Sequence, residues 1–124
     1  MKRQRTTIMF GLMLASRAFA TDLTIHLPGT ASVSRKILKY QCDNSGMKIG
    51  VPTSPFLVEY INGGGNSLAI VPISGNTLIF SNVVSGSGAR YVARQYTWWE
   101  SRGSVTLSSD SLAGKRESTC KENR

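Results

Sequence analysis

Seven consecutive residues, Ser85-Gly86-Ser87-Gly88-Ala89-Arg90-Tyr91, combine hydroxyls, backbone freedom and a guanidinium in one short stretch. Tyr96-Thr97-Trp98-Trp99 follows closely, and Arg102-Gly103 stands just beyond it. Glycine has no Cβ and admits left-handed backbone angles, so Gly86 and Gly88 let the residue between them stand proud of whatever carries the loop. That residue is Ser87, whose hydroxyl both donates and accepts and is short enough to enter a narrow slot. Arg102 adds a planar fork of five donors suited to a carboxylate. Together they make a polar probe complementary to a cleft lined by acids. Adjacent residues on a strand point to opposite faces, so one of Trp98 and Trp99 belongs to the core and the other to the surface. A surface tryptophan there is fit to anchor an interface or to stack on a sugar.

The same residues make poor catalysts. A nucleophilic serine needs a base beside it, and His26, the single histidine, sits in a distant segment, Leu23-Thr24-Ile25-His26-Leu27. The Ser85–Gly88 stretch lacks the strand-to-helix elbow that activates a serine. No helix start follows Gly86-x-Gly88 to hold a phosphate. Asp43, Glu59, Glu100 and Asp110 fall in turns or on exposed strand faces and read as solubilising charges. Two distant cysteines and one histidine have no zinc-ligand spacing. The residues point to a binding protein, not an enzyme, with no cofactor and no metal.

The first twenty residues read as an export signal. Met1-Lys2-Arg3-Gln4-Arg5 is a basic start, residues 8–15 form a short apolar run, and Ala18-Phe19-Ala20 offers small residues at a cleavage site after Ala20. The apolar run is about half the length a membrane span requires. The first cysteine is Cys42, so no cysteine is placed for a lipid anchor near that cleavage site. Residues 21–35 then form a polar, turn-rich arm with one candidate edge strand at Leu23–Leu27, and residues 36–124 the folded domain. Lys2, Arg3, Arg5 and Arg17 leave with the signal. Eleven Lys and Arg then stand against seven Asp and Glu, and the net charge falls from +8 to +4. The remaining positive charges are scattered rather than in a block, which argues against nucleic acid as a partner. Cys42 and Cys120, near the two ends of the folded region, suit an oxidising compartment and read as one disulfide.

The elements that must position the probe are strands. Apolar residues come in short alternating runs separated by turn signals, and no run reads as a long helix. Residues 37–42 give the first strong strand, and Met47–Val51 reads as a strand pairing back after the turn Asp43-Asn44-Ser45-Gly46. Asn62-Gly63-Gly64-Gly65-Asn66 and Ser74-Gly75-Asn76 read as hairpin loops. About eight short antiparallel strands with no helix to cover a sheet predict an all-β fold closed into a small barrel. The expected inward set is Ile37, Ile49, Val51, Leu57, Leu68, Ile70, Leu78, Phe80, Val92 and Leu107.

This order of features resembles the MliC/PliC inhibitors of c-type lysozyme over nearly all of residues 36–121. The resemblance rests on Tyr40-Gln41-Cys42, the heptapeptide Ser85–Tyr91, Tyr96-x-Trp98-Trp99, a basic residue before Gly103, and the closing Cys120. It implies a small antiparallel β-barrel that inserts loops into the active-site cleft of a host c-type lysozyme and inhibits by occlusion. Carried over position by position, the inserting serine falls on Ser87 and the second polar contact, usually a lysine, falls on Arg102. Gly86, Gly88, Ala89, Arg90, Tyr91, Trp99 and Gly103 would shape or support the plug. The family commonly places one residue between tryptophan and the basic-glycine pair, whereas Glu100-Ser101 stand here before Arg102. Without a lipidated cysteine the chain resembles the soluble periplasmic branch. The residues alone leave a second reading open, a periplasmic barrel holding a glycan or peptidoglycan fragment on Trp98 and Trp99. They do not choose between monomer and homodimer.

Overall fold

The computed structural model describes Gly11, residues 21–29 and residues 32–124. The export signal assigned to residues 1–20 therefore lies outside the described residues, Gly11 apart. No helix among the described residues is long and apolar enough to cross a membrane. The elements in chain order are β1 (Val33–Cys42), α1 (Gly46–Ile49), β2 (Phe56–Gly63), β3 (Asn66–Ile73), β4 (Asn76–Val83), β5 (Ala89–Ala93), β6 (Tyr96–Ser101), β7 (Ser104–Ser111) and β8 (Gly114–Glu122). The eight strands form a closed antiparallel barrel in sequence order. Closure removes every free sheet edge and leaves one interior to fill.

Local chemistry drives this meander. Five hairpins turn through two residues, and in three of them both residues have positive φ: Gly64-Gly65, Ser74-Gly75 and Arg102-Gly103. Such turns carry the twist of the strands they join, which is why glycine ends each pair. The interior is largely aromatic. Trp98 is fully buried at its centre, with Tyr40 edge-on at 5.1 Å and Phe56 at 6.4 Å between ring centroids. Tyr60 packs on Tyr91 at 5.8 Å. Val58, Val71, Ile73, Phe80, Val105 and Leu107 fill the remaining space with almost no exposure.

The structure corrects the expected inward set on four strands. Ile37 is 56% exposed and Leu57 is 59% exposed, while their neighbours Leu38, Tyr40, Phe56 and Val58 point inward. On β3 the inward residues are Ala69, Val71 and Ile73 rather than Leu68 and Ile70, and on β5 Tyr91 replaces Val92. Strand side chains have a period of two, so choosing the wrong phase by one residue inverts every assignment on that strand. Leu78, Phe80 and Leu107 do pack in the core. Met47–Val51 is not a strand. Gly46–Ile49 makes a single helical turn against β7 and β8, and Ile49 and Val51 are buried there. No strand forms at Leu23–Leu27, where residues 21–29 are exposed and irregular.

The barrel closes where β1 meets β8. Their pairing consists of Tyr40 opposite Glu122, Gln41 opposite Lys121 and Cys42 opposite Cys120. The disulfide joins that last pair across 78 positions of chain. On the chain-entropy model a link of that span disfavours the unfolded state by roughly 4–5 kcal/mol. The double variant Cys42→Ala/Cys120→Ala is therefore expected to lose most of that stability in urea unfolding. A loss below about 1 kcal/mol would mean that strand pairing alone holds the seam.

Beside the seam, the Asp43 carboxylate accepts hydrogen bonds from Ser118 Oγ (2.6 Å), Ser45 N (3.2 Å) and Thr119 N (3.2 Å). These donors, Ser118 foremost and then the Thr119 amide, hold its pKa below the usual carboxylate value. A depressed folded-state pKa stabilises the fold at pH above the unfolded-state value, and that stability disappears as pH falls through the folded-state value. The melting-temperature gap between wild type and Asp43→Asn should thus be widest near neutrality and shrink on acidification. A gap that stays constant across that range would refute the assignment.

Candidate functional site

In an antiparallel meander every second connection leaves the same end of the barrel. The β2–β3 hairpin, the β4–β5 loop (residues 84–88) and the β6–β7 turn at Arg102-Gly103 share one end, and α1 closes the other. Pairing of Ala89 with Glu100 and of Arg90 with Trp99 sets the β4–β5 loop directly beside the β6–β7 turn. A depression of about 450 Å³ lies between them, lined by Gly88, Ala89, Glu100, Arg102, Tyr40 and Glu122 among others.

Ser87 is exposed at this end while its backbone is held. Its carbonyl accepts a 2.9 Å hydrogen bond from Trp99 Nε1 and a second from Ser85 Oγ. At the loop's neck, Asn82 Nδ2 donates to the Arg90 carbonyl at 3.1 Å. Trp99 is the outward member of the tryptophan pair, 39% exposed, and Trp98 is the core member. A glycan-binding reading that uses both rings is therefore excluded by the burial of Trp98.

The two loop glycines do different work. Gly88 has φ +65°, and a Cβ there would sit 1.9 Å from the Glu100 carbonyl oxygen. Only glycine fits, and the contact presses the β4–β5 loop onto the strand leading to Arg102. Gly86 has no positive φ, and a Cβ would meet nothing within 4 Å, which corrects the expectation that both positions need glycine's freedom. Arg102 (φ +54°) and Gly103 (φ +79°) form the two-residue turn itself. The two residues before Arg102 thus complete β6 rather than lengthen a loop, and Arg102 sits exposed at the tip. Arg90 is exposed and faces outward opposite Trp99. Tyr91 is 7% exposed inside the barrel and Ala89 is half-buried, so both lie beneath the surface that a partner would touch.

Sequence reasoning missed the support underneath. Glu100, a solubilising charge by residue type, is half-buried and faces inward, in phase with Trp98. Its Oε1 accepts hydrogen bonds from Tyr40 OH (3.1 Å) and from Tyr60 OH. Tyr60 OH in turn accepts from Trp98 Nε1 at 2.9 Å. Burial, reinforced by the Glu100 carboxylate, pushes Tyr40 up to about 12, and burial first and then its hydrogen bond to Glu100 push Tyr60 far higher. Both hydroxyls therefore remain protonated donors at any ordinary pH. The signal available in the sequence was the alternation that puts Glu100 on the same face as one of the two tryptophans.

The family described as membrane-bound lysozyme-inhibitor of c-type lysozyme matches residues 40–114, a stretch that includes Ser87, both tryptophans and Arg102. The chain belongs to this MliC family. Membrane-bound lysozyme inhibitor of C-type lysozyme from Pseudomonas aeruginosa is 46% identical to it over 99 residues, 77% of this chain and 72% of the relative. The crystal structure of Pseudomonas aeruginosa MliC in complex with hen egg white lysozyme superposes with a TM-score of 0.66 at 40% identity. That match covers 86% of this chain and all of the MliC chain.

The glycine contrast yields a direct test. Gly88→Ala is expected to destabilise the fold by more than about 1 kcal/mol in denaturant unfolding, because the clash is with backbone at a left-handed position. Gly86→Ala should stay within about 0.5 kcal/mol of wild type. Equal effects at the two positions would show that the loop is not seated on Glu100.

Proposed function

We propose that this chain inhibits a c-type lysozyme by placing Ser87 and Arg102 in the enzyme's active-site cleft. The observation that carries this reading is the tethered loop: Ser87 keeps its side chain free at the barrel end while Trp99 and Ser85 fix its carbonyl. Such a loop enters a cleft without first being ordered, so little conformational entropy is lost on binding. Lysozyme cleaves glycosidic bonds with two carboxyl groups, one kept protonated by its apolar surroundings and one ionised. The Ser87 hydroxyl can donate to the ionised group and accept from the protonated one, and the Arg102 guanidinium can neutralise the ionised one. Inhibition is then occlusion, with no chemistry on the inhibitor. Gly88 and Gly103 set the backbone of the two projections, Trp99 braces the first, Ala89 and Tyr91 support from below, and Arg90 flanks the loop on the outside. Membership of the MliC family and the complex formed by the Pseudomonas aeruginosa relative support this reading.

We place the protein in the periplasm as a soluble chain, guarding peptidoglycan against a host enzyme. That placement rests on the export signal in residues 1–20 and on the distance of Cys42 from the cleavage site.

The test is turbidity clearing of Gram-positive cell walls by c-type lysozyme, with and without the protein. Wild type should inhibit strongly, and Ser87→Ala should inhibit at least about tenfold less well, equivalent to about 1.4 kcal/mol. Arg102→Ala should weaken inhibition by a smaller factor. Inhibition by Ser87→Ala equal to wild type would remove Ser87 from the interface.

A further inference from the structure

The outer wall of the barrel is divided. Around β1, β2 and β4 the outward residues include exposed aliphatics, Val33, Ile37, Leu57 and Ile79. Across β5 to β8 the outward residues are mostly hydroxyl-bearing and charged, with Val92 the aliphatic exception and one large aromatic among them, Trp99. The start of the β4–β5 loop, Val84 to Gly86, folds over this second wall. The result is a groove of about 440 Å³ whose lining includes Trp99, Thr97, Thr106, Ser108, Asp110 and Glu117.

The composition of the groove selects a ligand class. Its charges cancel: Arg90 and Lys115 stand against Asp110 and Glu117, and Lys115 pairs with Glu117 at 3.1 Å. A phosphate, a nucleic acid or an anionic lipid head group would find no excess positive charge to bind. Trp99 contributes an apolar face in a fixed orientation, because its indole N–H is already engaged by the Ser87 carbonyl. Around it lie short hydroxyls and carboxylates, none of them a buried polar atom left without a partner. One flat apolar surface ringed by hydroxyls and by charges that cancel matches a neutral molecule with the same division, a pyranose ring with its C–H face and its hydroxyl edge. The groove crosses four strands, about 14 Å at the usual strand spacing, which favours several linked rings over a single sugar.

We infer that the outer face of β5–β8 is a binding groove for a short neutral oligosaccharide, stacked on Trp99 and held at its hydroxyls by Thr106, Asp110 and their neighbours. The inference does not rest on lysozyme inhibition, since Ser87 and Arg102 project from the barrel end and the groove runs along its side. The two are neighbours, because the loop that carries Ser87 at its tip supplies the groove's wall. A chain that also holds glycan would be retained on a polysaccharide surface.

The experiment is a titration of the full chain, ¹⁵N-labelled, with the N-acetylglucosamine trimer, a glucose trimer and inorganic phosphate, read by NMR. Either trimer should move the Trp99 indole signal and the amides of Thr97, Thr106 and Ser108 saturably, leaving the Trp98 indole in place. Thr106→Val should weaken binding roughly fivefold, the loss expected of one neutral hydrogen bond, and Asp110→Ala should weaken it by more, about tenfold or greater, because its carboxylate makes a charge-assisted one. Both variants should inhibit lysozyme as wild type does in the turbidity assay, so loss of glycan binding and loss of inhibition are read separately. The proposal is overturned if neither trimer gives saturable shifts at millimolar concentration, if the shifts ignore both variants, or if phosphate alone moves the same signals.

Discussion

Strand β6 sends Trp98 into the barrel, Trp99 out of it and Glu100 back in, because successive side chains on a strand face opposite ways. The rest of the site depends on that alternation. Trp98 gives the interior its largest fully buried side chain and donates its indole N–H to Tyr60. Trp99, one residue later, reaches the Ser87 carbonyl from the outside. Glu100 then receives the two tyrosine hydroxyls from within and presents its own carbonyl to Gly88. Three consecutive residues thus fasten the core to one loop and set the strand that runs into the second.

A carboxylate facing a barrel interior would be costly if left unpaired. Here the cost is offset by two hydroxyl donors at the site, and the pKa of each tyrosine lies too high for the donor to be lost. Satisfied buried networks of this kind favour one arrangement of their members, since moving any of them strands a polar group. The physical consequence lies at the surface. The β4–β5 loop and the β6–β7 turn keep a fixed separation because both are referred to Glu100, one through Gly88 and the other through the end of β6.

Much of the architecture could be read from residue types. Short alternating runs gave an all-β barrel, Gly64-Gly65 and Ser74-Gly75 marked hairpins, and the adjacency of two tryptophans required one in and one out. Phase was harder. Ile37 and Leu38, Leu57 and Val58, and Leu68 and Ala69 put apolar groups on both faces of β1, β2 and β3, so hydrophobicity alone does not say which face is inside. The deciding residues are Tyr40, Tyr60 and Tyr91, whose rings fill the barrel and which the expected inward set, built on aliphatics and phenylalanine, does not include. The helical turn α1 is four residues long, too short for any periodic signal. At the site, Ser87, Arg102 and Trp99 stood out by type, but Glu100 did not, because its role comes from partners 40 and 60 positions away in sequence.

Gly88 shows how such distant partners act on a loop. A side chain at that position would collide with the Glu100 backbone, so the chain must pass there as glycine or lift away. Gly86, only two residues earlier, is under no such demand. The motif Ser-Gly-Ser-Gly therefore looks symmetrical in sequence and is not so in space. Its second glycine seats the loop on β6, Ser85 and Trp99 tie down the carbonyl between the glycines, and the Ser87 hydroxyl is left without a structural task. A loop held at the Ser87 carbonyl and at Gly88 has lost much of its freedom before any partner arrives, and the hydroxyl it leaves free is the one proposed to do the recognising.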